Sequence, residues 1–220
     1  MWEMCRNFKS CNAQLLVMIF QKRITKDEIR SLPLLRYEGE VVIVRDEVEL
    51  DNALDDLRTQ SLLGFDTEAR PSFSRYRQYP LALLQLATQE RVYLIQLQKT
   101  GFPSVLSAIF EDRSVLKVGI SIRDDVKKLQ GMRGFAPNSV AELNRLASVL
   151  GIEHEGVRNL AGIFLHGRIS KGQQTTNWAK SELTQKQIRY AATDAWVCLE
   201  IYNKIAAQGL IPEVTKGYYI

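Results

Sequence analysis

The chain has 220 residues, 29 of them Lys or Arg and 25 Asp or Glu, for a formal net charge of +4, with 45% hydrophobic and 25% charged residues. That balance excludes intrinsic disorder, a collagen-like fibre and a disulfide-stapled miniprotein, and the length suits one domain with a substantial core. The mild basic excess permits a nucleic-acid partner without demanding one.

The first 38 residues read as an extension, helical over about Lys26 to Leu32 and ended by Pro33. Leu15 to Phe20 is the longest apolar run and is too short to cross a bilayer. Gln21, Lys22 and Arg23 follow it where a signal peptide would place small residues, so a cytoplasmic protein without a membrane partner is expected. Val41 to Val44 reads as a buried strand, and Asp46 opens a helix with apolar Val48, Leu50, Leu54 and Leu57. Leu62 to Asp66 is a second short strand. Leu81 to Ala87 and Val92 to Leu97 form a hairpin about the polar turn Thr88 to Glu90. A helix is expected over Pro103 to Phe110, a strand over Val115 to Ile120, and a helix over Arg123 to Gly131. The rest reads as helical, over Val140 to Leu150, Val157 to Leu165 and Thr184 to Ala206. The layout is α/β, a mixed sheet flanked by helices with a helical C-terminal third.

The three cysteines, Cys5, Cys11 and Cys198, form no Cys-x-x-Cys pair, and only His154 and His166 could add imidazole ligands. A metal would have to be held by carboxylates, which favour hard ions such as Mg²⁺ or Mn²⁺. No phosphate-cradling Gly-rich motif occurs, so dinucleotide-binding and P-loop readings lack their signature.

Carboxylates carry the chemical signal. Asp66 and Glu68, in Gly64-Phe65-Asp66-Thr67-Glu68, stand at i and i+2 and emerge from one face of a strand. Two adjacent carboxylates repel unless a cation neutralises them. Tyr190 and Asp194 stand at i and i+4 on one helical face, separated by alanines that leave the surface low enough for close approach. Asp125 follows the strand at Val115 to Ile120, near a helix start. Each signal taken alone has a bland reading as solvated or capping charge.

Together, in this order and context, Asp66, Glu68, Asp125, Tyr190 and Asp194 resemble the motifs of the DEDDy 3′–5′ exonucleases, in particular the RNase D-like branch that includes the Werner-type exonuclease domain. The first motif is Phe65-Asp66-Thr67-Glu68, and the second is Val118-Gly119-Ile120-x-Ile122-x-x-Asp125 with Lys128-Leu129 after it. The third comprises Asn177-Trp178, Leu183-Thr184, Gln187 and Tyr190-Ala191-Ala192-Thr193-Asp194-Ala195, and Leu84-Gln85-Leu86 matches the family strand after the first motif. The resemblance implies a ribonuclease H-like fold, an exonuclease domain over 39–206 between an extension (1–38) and a tail (207–220), and DNA or RNA with a free 3′ end as substrate.

It also implies two divalent cations roughly 3.5–4 Å apart. Asp66 would bridge them, Glu68 and Asp194 would complete the site on the nucleophile's side, and Asp125 would hold the second ion through water. A tyrosine with an ordinary pKa near 10 is a poor base at neutral pH, so Tyr190 is expected to orient the attacking water. Nucleoside 5′-monophosphates would be released. Lys171, Arg70, Lys128 and Trp178 are candidate nucleic-acid contacts, the last by stacking on a base or by packing inside the domain, with Arg75, Arg77 and Lys127 as further cations. Ala69 stands where helicase-linked relatives often carry an aromatic residue, so a stacking platform is missing there. A catalytically silent nucleic-acid-binding or scaffolding module of the same fold is the alternative, against which stand all four acids and the tyrosine. No protein partner is identifiable.

Overall fold

In a computed structural model, described over residues 20–72 and 79–211, Leu81–Ala87 is buried at every position. Burial on both faces explains its continuous apolar reading, because it lies in the middle of a sheet covered on both sides. Six strands make that sheet: β1 (Glu40–Val44), β2 (Leu62–Ala69), β3 (Leu81–Ala87), β4 (Arg91–Gln96), β5 (Leu116–Gly119) and β6 (Val140–Glu142), in the order β1-β4-β3-β2-β5-β6. The β2–β3 and β3–β4 pairs are antiparallel, while β1–β4, β2–β5 and β5–β6 are parallel. This is the mixed α/β sheet expected from the sequence.

Side-chain alternation divides the strands between two layers. Leu63 and Phe65 of β2, Leu84 and Leu86 of β3, and Tyr93 and Ile95 of β4 enter one core. It is covered by α2 (Glu47–Leu57), α4 (Ser104–Glu111) and α5 (Arg123–Met132), joined by Leu97 of the single turn α3 (Leu97–Thr100), whereas α1 (Lys26–Ser31) packs Ile29 into the second core. Asp46 caps α2 by accepting from the Glu49 amide at 2.8 Å, so the expected start of that helix holds. Val48 is 71% exposed rather than on the apolar face.

The other layer consists of α6 (Leu143–Val149), α7 (Val157–Leu165) and the long α8 (Gln185–Ala207). A capping box between Thr184 and Gln187 starts α8. Ala191, Ala192 and Ala195 are fully buried against Leu83 and Leu94 of the sheet. The alanines therefore bring the helix down onto the strands rather than leaving room for a ligand. Gly64 completes that approach: a methyl group there would overlap the Ala195 carbonyl oxygen.

Two elements differ from expectation. Val140 to Leu150 is not one helix; Val140–Glu142 pairs with Lys117–Gly119 as an edge strand and only then turns into α6. Its apolar spacing fits either state, and the open edge of β5 decides it. Strand β2 runs past Asp66 to Ala69, with an irregularity between Glu68 and Ala69.

Residues 20–38 lie against the second layer. The Leu35 amide donates to the Arg168 carbonyl at 2.8 Å, the Arg168 amide to the Pro33 carbonyl at 2.9 Å, and the Tyr37 amide to the Thr193 hydroxyl at 3.1 Å. A methyl group at Gly167 would overlap Leu35, so this strap sits close on the domain. Among the described residues Cys198 is a free, buried cysteine, whereas Cys5, Cys11, the run Leu15 to Ile19, Arg75, Arg77 and the tail from Pro212 lie outside the described residues.

Candidate active site

Gly64, Asp66 and Glu68 share the face of β2 that meets α8, because side chains two apart on a strand point the same way. Where the helix crosses the strand it presents Asp194, one turn beyond Tyr190. The sequence-predicted acids meet there: carboxylate oxygens of Asp66, Glu68 and Asp194 all lie within 4.8 Å of one another. At that spacing each charged pair repels by about 3 kcal/mol at an effective dielectric near 20. Burial adds to the repulsion. It pushes the Glu68 carboxyl up to about 10, helped by Asp66, Asp194 and Asp125, and Asp194 up to about 7. Asp66 is driven well above the usual carboxylate range by burial and by Asp194 and Asp125.

Asp125 stands outside the closest trio, in the first turn of α5. Its carboxyl is also raised by burial, against the nearby Thr67 hydroxyl and the Lys128 ammonium at 3.9 Å. A residue that carries no motif signal positions it. Glu142, at the end of β6, accepts from the amides of Ser121 (2.8 Å), Ile122 (2.9 Å) and Asn144 (3.1 Å). That clamp fixes the turn that opens α5, where Ser121 takes φ of 61°.

The Tyr190 hydroxyl is raised far above its ordinary value by burial and by the facing Asp194 and Glu68 carboxylates, so it remains a neutral donor. Its ring packs on Trp178, centroids 5.9 Å apart. Trp178 is 1% exposed. A ring so enclosed cannot stack on a nucleobase, which corrects the base-stacking expectation and leaves the packing role. Gln187 ties the same motif together, donating to the Thr176 hydroxyl and the Asn177 carbonyl, both at 3.2 Å.

Arg70 and Lys128 line one cleft of about 550 Å³ with Ala69, Tyr79 and Lys127. The Arg70 guanidinium lies over the Tyr79 ring at 4.8 Å. An aromatic surface thus adjoins Ala69 although that position supplies none itself. Lys171 is exposed on the loop between α7 and α8 and does not line this cleft.

A sheet of this order, with carboxylates gathered where a central strand meets a long helix, defines a ribonuclease H-like domain. A family model described as 3′–5′ exonuclease matches residues 41–209, and the chain belongs to that family. The exonuclease mut-7 homolog of Aedes aegypti is 27% identical over 198 residues, covering 78% of this chain and 27% of that protein. Ribonuclease D of Cronobacter turicensis is 31% identical over 156 residues, covering 69% of this chain and 41% of that protein. The chain therefore spans less than half the length of either relative. The solved Nibbler EXO domain of Aedes aegypti superimposes with a TM-score of 0.74 at 24% identity, covering 84% of this chain and 99% of that one.

Proposed function

We propose that the chain is a metal-dependent 3′–5′ exonuclease that takes DNA or RNA with a free 3′ end and releases nucleoside 5′-monophosphates, its catalytic domain spanning 39–206. The observation that carries this is the meeting of Asp66, Glu68 and Asp194 oxygens within 4.8 Å, bordered by Asp125 and Tyr190. An all-carboxylate donor set whose members repel one another fits hard divalent cations, and Mg²⁺ or Mn²⁺ suits it. Two such ions, when bound, supply positive charge to the attacking and leaving oxygens of an in-line displacement. Asp66, Glu68 and Asp194 would hold them directly, with Asp125 completing the set from α5.

Tyr190 would orient the attacking water by a hydrogen bond, since even an ordinary phenol pKa near 10 leaves it protonated at neutral pH. Arg70, Lys128 and Lys171 would contact backbone phosphates without reading sequence. The protein would act in the cytoplasm, and among the described residues no helix is long and apolar enough to cross a membrane.

The test is a time course with matched 3′-hydroxyl DNA and RNA oligonucleotides in Mg²⁺, Mn²⁺ or chelator, using wild type and Asp66→Asn. Metal-dependent release of mononucleotides by the wild type alone is the expected result. Binding without hydrolysis in either metal would instead establish the silent module.

A further inference from the structure

A second cavity, of about 300 Å³, opens between the strap and α8 and ends at Tyr190 and Asp194. Three cations line it: Arg36 from the strap, and Lys186 and Arg189 from the first turns of α8. All three side chains are exposed, and none forms an ion pair among the described residues. In the cleft on the α5 side two of the three cations, Lys127 and Lys128, pair with Asp124 (3.7 Å) and Asp125 (3.9 Å), and the third, Arg70, lies over the Tyr79 ring at 4.8 Å. Three uncompensated positive charges around one cavity favour an anion.

The placement of Arg36 is fixed by the fold. Its neighbour Leu35 is bonded to Arg168 at 2.8 Å, and Tyr37 to the Thr193 hydroxyl at 3.1 Å. Thr193 adjoins Asp194, and its hydroxyl donates onward to the Arg189 carbonyl at 2.6 Å. The strap is thus fastened to the helical turn that bears a site acid, with an arginine held at the rim. Ser170 and Gln173 add neutral polar groups to the wall. The Ser170 hydroxyl oxygen accepts from the Gly172 amide at 3.1 Å, which leaves its proton free to donate.

We propose that this cavity binds phosphate groups of the nucleic-acid strand next to the scissile bond, through Arg36, Lys186 and Arg189. The inference rests on the exonuclease reading and adds to it a subsite built partly outside the family-matched residues 41–209. Arginine forks suit phosphate oxygens, and cations free of internal partners give up no ion pair to bind them. The same chemistry would suit the phosphate monoester of a released mononucleotide, so the two sources need separate measurements.

Binding of a fluorescent single-stranded oligonucleotide is measured between 50 and 200 mM salt on the full chain carrying Asp66→Asn, so that affinity is read without turnover. Adding Arg36→Ala and Arg189→Ala should weaken binding by about tenfold or more and flatten the log–log salt dependence by about one unit for each phosphate no longer neutralised. Lys186→Glu, a separate exposed substitution, should weaken it comparably. Arg58→Ala with Lys204→Ala removes the same net charge elsewhere and should leave affinity within about twofold. An equal loss in that control, or no loss in the cavity variants, overturns the subsite while leaving wild-type hydrolysis to speak for the exonuclease. Competition by a nucleoside 5′-monophosphate separates the sources. If the cavity variants weaken only the mononucleotide, the site serves product and the strand assignment is wrong. If the Asp66→Asn protein binds no oligonucleotide and the wild type hydrolyses none, the exonuclease reading falls as well.

Discussion

Three carboxylates whose oxygens lie within 4.8 Å of one another cannot all be charged in a buried site without a counter-ion. Glu68 is held up to about 10 and Asp194 to about 7, against ordinary values of 4.5 and 3.8. Between those limits the folded, metal-free protein holds protons that the unfolded chain has released, so its stability falls as pH rises through that window. Melting in chelator should therefore be lower at pH 8 than at pH 5, and Mn²⁺ should raise it more at pH 8. Asp66→Asn removes one repelling charge; at pH 8 its metal-free melting temperature should rise by a few degrees, corresponding to about 1–2 kcal/mol. An unchanged pH slope in that variant would show that repulsion within the cluster is not its origin. Tyr190 makes a different prediction, because in the proposed mechanism it donates a hydrogen bond and holds no metal. Tyr190→Phe should lower turnover by about a hundredfold with Mn²⁺ affinity, read by calorimetry, little altered. Equal loss of both would remove it from the water-orienting role.

The site is also a matter of how elements are fastened. Strand β2 and helix α8 approach closely because Gly64 faces Ala195, and this brings Asp66 against Asp194. Helix α5 is seated by the buried side chains of Ile122 and Val126, and the Glu142 carboxylate fastens its first turn through the Ser121 and Ile122 amides. Glu142→Ala leaves those donors without their partner and should destabilise the fold by about 1–3 kcal/mol. It should also weaken Mn²⁺ binding by loosening Asp125, a loss that denaturant melts and metal titrations measure separately. The local sequence Ala141-Glu142-Leu143 does not announce this role, because the partners stand 21 and 20 residues earlier and meet it only when β6 pairs with β5.

Across the whole molecule, the strap links the residues before the family-matched region to α8, the helix that bears Tyr190 and Asp194. Its amides at Leu35 and Tyr37 end on Arg168 and Thr193, and Tyr37 is 9% exposed beside Trp196. If strap and helix form one cooperative unit, these two amides should exchange hydrogen as slowly as the core amides of α8. Exchange many-fold faster at Leu35 and Tyr37 would show that the strap opens on its own.

Spacing within a strand or a helix put Asp66 with Glu68, and Tyr190 with Asp194, on a common face, whereas Asp125 and the set as a whole were singled out only by their resemblance to the exonuclease motifs. The α/β class was legible from spacing as well: strand and helix periods differ, and burial on both faces gives β3 its unbroken apolar run. Tertiary structure alone decided what depends on a distant partner. It made Val140–Glu142 an edge strand, enclosed Trp178 against Tyr190, assigned the alanines of α8 to sheet packing, and brought Arg36 and Arg189 to one cavity. The physical reason is range. Periodicity and motif record forces acting over a few residues, whereas burial, edge pairing and the repulsion among gathered charges arise only when segments far apart in the chain are brought into contact.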